Sequence, residues 1–154
     1  MWQRKQTIFL ALTGSLMVLT IFFPAWVAEE GGIRRELYPL HYSVTESGAK
    51  TVTYFPYAIS AILAVAAATL AFLEIGKFEN RMTQIKMGAL NSLLMAGSLG
   101  GLVVFATQLI ERNQMAGQYG LSLWLPAGAM ISNMIANRFI RRDEKLVRDS
   151  ERIR

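Results

Sequence analysis

The residues able to do chemistry are few, and their spacing is poor for it. His41, Ser43 and Glu46 fall together in "HYSVTES", but closeness in sequence does not build a nucleophile–base–acid triad. A lone histidine in a chain with no cysteine cannot assemble a zinc or haem site. The lack of cysteine also rules out disulfides and thiol chemistry. No phosphate-cradling glycine loop and no metalloprotease pattern is present. Glu74 is followed by Lys77 and Arg81, which puts all three on one helical face as a surface ion-pair cluster. These residues predict no catalytic site, no bound metal and no cofactor, and hence a non-enzymatic protein.

The elements that must position these groups are clear. Four long blocks, 7–28, 51–73, 87–110 and 113–137, contain no ionisable residue. A membrane span needs about 20 mostly apolar residues, and so short a soluble chain could not bury four helices apolar all round. The expected fold class is all-α membrane. It is a single domain over 1–154, a four-transmembrane-helix bundle with spans near 7–28, 52–73, 87–110 and 115–137. "PAWVAEE" sets bulky Trp26 where a signal-peptidase site wants a small residue, so the first block reads as an uncleaved helix.

Basic residues set the orientation. Of the 16 Lys and Arg, twelve lie in the N-terminal flank, the 74–86 link and the tail; Arg34, Arg35, Lys50 and Arg112 lie on the other side. The positive-inside rule then puts both termini in the cytoplasm. Trp26, Tyr54, Tyr57, Tyr119 and Trp124 collect at the opposite boundary, as an interfacial aromatic belt does. A bacterial inner membrane is the expected location.

In the outer loop 29–51, "LYPLHYSVTESGAKTVTYF" alternates Tyr, Val and Thr around the turn "TESGA". This predicts a small extracytoplasmic β-hairpin between the first two helices, Leu37–Val44 with Lys50–Tyr54. The competing reading is an unpaired loop on the headgroups.

Small residues recur every fourth position in three helices: Ser60, Ala64 and Ala68; Gly88, Ser92, Ala96 and Gly100; and Gly128, Ser132 and Ala136. Gly97 and Gly101 form a further pair. Such faces let helices approach closely in lipid, within one chain or between two copies. Asn91 lies at a similar depth to Asn133 and Asn137, so an Asn–Asn or Asn–carbonyl hydrogen bond between the third and fourth helices is expected, worth roughly 0.6–2 kcal/mol. Pro126 should bend the fourth helix or start it late.

The tail 138–154 contains no Gly or Pro, so helix four should run on as a cytoplasmic helical extension. Ile140, Val147 and Ile153, with Leu146, leave an apolar stripe, and Glu144–Arg148 and Lys145–Asp149 are i,i+4 pairs. Packing on the link around Arg81 is expected.

"MWQRKQTIFL", "FENRMTQIKM" and "DEKLVRDSERIR" resemble the four-helix membrane proteins of Bacteroidota known as domain of unknown function 4293. The matching residues include Gln3, Arg4, Asn80, Arg81, Gln84, Lys86, Asp143, Glu144 and Arg148, while Asp149 stands where the family carries Ser. The resemblance implies four spans and no assigned activity. All three motifs fall on the predicted cytoplasmic side and mix both signs of charge with amides. Pure lipid anchoring favours Lys and Arg alone. These residues therefore predict an interaction cluster for protein partners, in a membrane complex or a homo-oligomer, with the lipid bilayer as the other partner and nucleic acid as none. The functional expectation is an accessory or scaffold subunit; the alternative is a transporter or binding protein for a small molecule or lipid, with its cavity between helices.

Overall fold

The computed structural model describes residues 5–77 and 80–151, the side chains of 148–151 excepted. Gln3, Arg4, Phe78, Ile153 and the side chains of Arg148 and Asp149 lie outside the described residues. Four helices are present: α1 (Lys5–Thr20), α2 (Ala58–Gly76), α3 (Arg81–Asn113) and α4 (Leu121–Glu151). They pack in a ring, each on two neighbours, with α4 closing back on α1. Two of them, α2 and α3, are long and apolar enough to cross a membrane.

The bundle interior mixes small apolar side chains with buried polar ones, and its outer faces are apolar. Ser, Thr, Asn, Gln and Ala fill the interior, around Met17 and Met95. Ile8, Leu12, Ile62, Phe72, Leu93, Val104, Ile131 and Met134 point outward on all four helices. Four serines and threonines and two amides tie the helices through neighbouring carbonyls. Ser132 Oγ donates to Phe9 O at 2.8 Å, Thr13 Oγ1 to Ala129 O at 3.4 Å, and Ser122 Oγ to Thr20 O at 2.8 Å. Ser98 Oγ donates to Ser60 O at 2.9 Å, and Gln84 Nε2 to Glu74 O at 2.8 Å. Asn133 Nδ2 donates to both Gly88 O and Ser92 Oγ at 2.9 Å. Bonds of this kind supply attraction between helices where burial of apolar surface cannot.

One end of the bundle carries a sheet larger than the expected hairpin. Strands β1 (Trp26–Glu30), β2 (Ile33–Leu37), β3 (Tyr42–Glu46), β4 (Ala49–Thr53) and β5 (Gln118–Tyr119) are antiparallel in the order β4-β3-β2-β1-β5. The β3–β4 hairpin turns where "TESGA" places it, pairing Glu46 with Ala49, but its first strand starts at Tyr42 rather than Leu37. Tyr38–His41 is instead a tight turn closed by Tyr38 N–H to His41 O at 2.8 Å. The first helix stops at Thr20, eight residues short of the expected 28, because Trp26–Ala28 is drawn into β1 against β2. Gly31 and Gly32 both have positive φ (59° and 78°) and form the two-residue turn of the β1–β2 hairpin. The sheet's inner face buries Trp26, Ala28 and Leu37 on Leu102, Ala106, Leu109 and Met115 at the end of α3.

α4 begins at Leu121 and continues through Pro126, so the proline does not delay it. It also runs to Glu151 without interruption, as expected of a tail free of Gly and Pro. Among the described residues of the tail, Lys145, Leu146 and Val147 are exposed and Asp143 and Glu144 half-buried, and the inward apolar stripe ends at Ile140.

Candidate functional site

The buried face of α2 runs Ser60, Ala64, Ala67, Ala71, Glu74, one residue per turn. Glu74 therefore continues the small-residue face into the bundle and does not turn outward. It is 0% exposed and both carboxylate oxygens lack a partner. The surface cluster with Lys77 and Arg81 does not form, and among the described residues the one ion pair is Arg34–Glu36. The reason is helical phase: packing of the alanine face fixes the rotation of α2, and the carboxylate has to follow it inward.

Glu74 is part of a buried polar column. Gln84, whose amide donates to the Glu74 carbonyl, is 1% exposed and its Oε1 is unpartnered. Two turns further along α3, Asn91 is 0% exposed with neither amide atom bonded. From α4, Asn133 and Asn137 each present a buried Oδ1 with no partner. Gly88 leaves the room for Asn137, since a Cβ there would meet its amide directly. The column so offers one carboxylate and several carboxamide oxygens within the end of the bundle opposite the sheet. Oxygen-rich sets of this type suit hard cations, although no cluster of three or more His, Cys, Asp or Glu exists among the described residues.

The expected interaction residues separate into different roles. Asn80 caps α3, its Oδ1 accepting from Thr83 N–H at 3.0 Å. Gln84 is interior, Arg81 half-buried with an unpartnered Nη1, and Lys86 exposed. Asp143 and Glu144 are half-buried on α4. Of the small residues, Gly101 meets Ser60 (2.8 Å from an added Cβ to its Oγ) and Gly97 meets Leu63 (3.2 Å), so this pair faces α2 within the chain. Ser92 bonds to Asn133, Ser132 bonds to α1, and Gly128 lies near Leu16. Ala96 and Gly100 are exposed and belong to no packed seam.

His41 is held at the sheet end, stacked on Tyr38 with ring centroids 5.0 Å apart and near Tyr54 at 5.9 Å. Burial, aided by the charge of Lys50, lowers its pKa below the ordinary 6.5, against a smaller opposing pull from Glu36. The folded chain prefers the neutral ring. This contribution to stability is complete above the unfolded value and is lost as pH falls through it toward the depressed folded one. Amides of 37–54, followed by hydrogen exchange, should lose protection as pH falls through and below the ordinary imidazole value. His41→Gln should abolish that loss; equal loss in both proteins would refute the assignment.

No curated protein matches the chain. A family model does, over residues 2–153, and spans the sheet, all four helices and the polar column. The chain belongs to the family described as Domain of unknown function (DUF4293).

Proposed function

We propose that this chain is a four-span inner-membrane protein that acts without catalysis, as an accessory or scaffold subunit docking partners through its cytoplasmic face. Two observations support four spans where length and composition single out two. Every helix turns large apolar side chains outward. The polar residues that dilute α4, Ser122, Ser132 and Asn133, are buried against other helices and not offered to lipid. α1 is short, 16 residues or about 24 Å, and the apolar residues Ile21–Phe23 extend it toward the sheet.

The observation that carries the docking role is the overhang of α4. Beyond Ile140 the helix continues for about three turns, charged on most sides and with Leu146 63% exposed. An apolar side chain on an otherwise charged helix past the edge of the membrane suits a partner's groove.

Because the chain has no cysteine, single thiols report cleanly. Membrane-impermeant maleimide on intact cells should label Lys50→Cys and leave Lys86→Cys and Leu146→Cys untouched. A photo-crosslinker attached to the thiol of the Leu146→Cys variant in inverted vesicles should capture one discrete protein, and the same group on Ile62→Cys should not. Labelling of all three variants, or identical adducts from positions 146 and 62, would defeat the proposal.

The unpartnered oxygens of Glu74, Gln84, Asn91 and Asn133 favour a second reading, an inter-helix site for a cation or small polar ligand. Saturable binding abolished by Glu74→Gln would establish it.

A further inference from the structure

The sheet end holds a polar cavity of about 270 Å³ between one face of the sheet and the last turn of α3. Its polar lining is Arg35, Tyr42, Thr53, Tyr57, Arg112 and Asn113. Strand register explains the convergence. Leu37 pairs with Tyr42 and Tyr42 with Thr53, and Arg35 is two residues from Leu37, so Arg35, Tyr42 and Thr53 share one face. Arg112 comes from the last turn of α3. The Tyr57 ring is fixed between Tyr42 (5.5 Å) and Phe105 (5.3 Å).

The charge in this cavity is uncompensated. Arg34, on the opposite face, is matched by Glu36 through Nε at 3.0 Å and Nη2 at 2.8 Å. Arg35 and Arg112 have no carboxylate partner among the described residues, and no acid lines the cavity. Arg35 Nη1 donates to Tyr42 OH at 3.3 Å, which holds the guanidinium in place, while its Nε is buried and unpartnered. A guanidinium held this way carries a fixed positive charge and further N–H donors at the cavity, and hydrogen bonds from an ionised donor to an oxyanion are the strong kind.

We propose that this cavity binds a phosphate ester. Two guanidinium groups with tyrosine and threonine hydroxyls surround the space from the sheet, from the start of α2 and from α3. Donors arriving from several directions match a tetrahedral oxyanion better than a planar carboxylate. The volume leaves room for an esterified group beyond the phosphate itself. The site does not depend on the cytoplasmic docking role. Its ligand is either a soluble phosphate ester or a phospholipid headgroup.

Phenylglyoxal modification of the unaltered chain, read by mass spectrometry at each arginine, tests this. In phosphate-free detergent, glycerol 3-phosphate should slow modification of Arg35 and Arg112 and leave Arg34 unchanged, which identifies a soluble ester. Protection only in phospholipid nanodiscs identifies the headgroup. If neither protects Arg35 and Arg112 beyond Arg34, the proposal is wrong. Arg35→Gln and Arg112→Gln should each weaken glycerol 3-phosphate or headgroup binding by about tenfold or more, from loss of a charged hydrogen bond. Arg34→Gln should not weaken it.

Discussion

Gly120→Ala should lower the thermal midpoint of the purified protein sharply, although it adds one methyl group. A Cβ at Gly120 would meet the Pro24 carbonyl oxygen directly and lie 2.9 Å from its carbon. The obstacle is backbone, so no rotamer change relieves it. That approach is locked from both sides: Gly120 N–H donates to Ala25 O at 2.8 Å and Ser122 N–H to Pro24 O at 3.3 Å. Overpacking costs typically about 1–3 kcal/mol, and a rigid wall puts this case at the upper end or beyond. Gly76→Ala, with open space around it, is the matched control and should be neutral. Equal unfolding temperatures for the two variants, by intrinsic tryptophan fluorescence in detergent, would show that the 24–25 segment is not held as described.

Glu74→Leu should have a large effect of the opposite sign. The carboxylate is fully buried and neither oxygen is partnered. A buried polar group without a partner costs about 1–3 kcal/mol, more if charged, so an apolar side chain of similar size should raise the midpoint. A fall would mean that a bound cation, ligand or proton-bearing partner holds the carboxyl in the native protein, and would shift the weight to the inter-helix site. Raised stability together with lost biological activity would mark Glu74 as a group kept for function at the expense of stability.

The helices were legible because absence of charge over long blocks is a strong constraint. Most of α2, the middle of α3 and the first half of α4 fall in such blocks, although α3 also takes in Arg81, Lys86, Glu111 and Arg112 at its ends. The same criterion overextended α1, since Trp26, Val27 and Ala28 are as apolar in a strand as in a span. The β3–β4 hairpin could be read from its Ser47–Gly48 turn. In β1–β2 the two-residue turn signal of Gly31–Gly32 is diluted by the charges of "EEGGIRREL", which leave its short strands without a clear apolar alternation. β5, two residues long, has no local signature and exists only because β1 offers it an edge. Within the column, the bond from Asn133 to Gly88 matches the amide link expected between the third and fourth helices. Glu74 stands at helical spacing both to Lys77 and Arg81 and to Ala71 and Ala67. Packing decides between two such faces, and in α2 it favours the small residues. The tail's helicity follows from composition, whereas the exposure of Leu146 depends on the direction α4 takes out of the bundle, which no local pattern encodes.

The short pairing of Trp26 and Val27 with Tyr119 and Gln118 has a consequence for the order of assembly. Four of the five strands are complete by Thr53, yet the fifth arrives only with residue 118 of 154. The edge of β1 is therefore completed only by the segment that joins α3 to α4, at the same end of the bundle as the connection between α1 and α2. β5 then acts as a latch, and it closes only when both helical hairpins share one orientation.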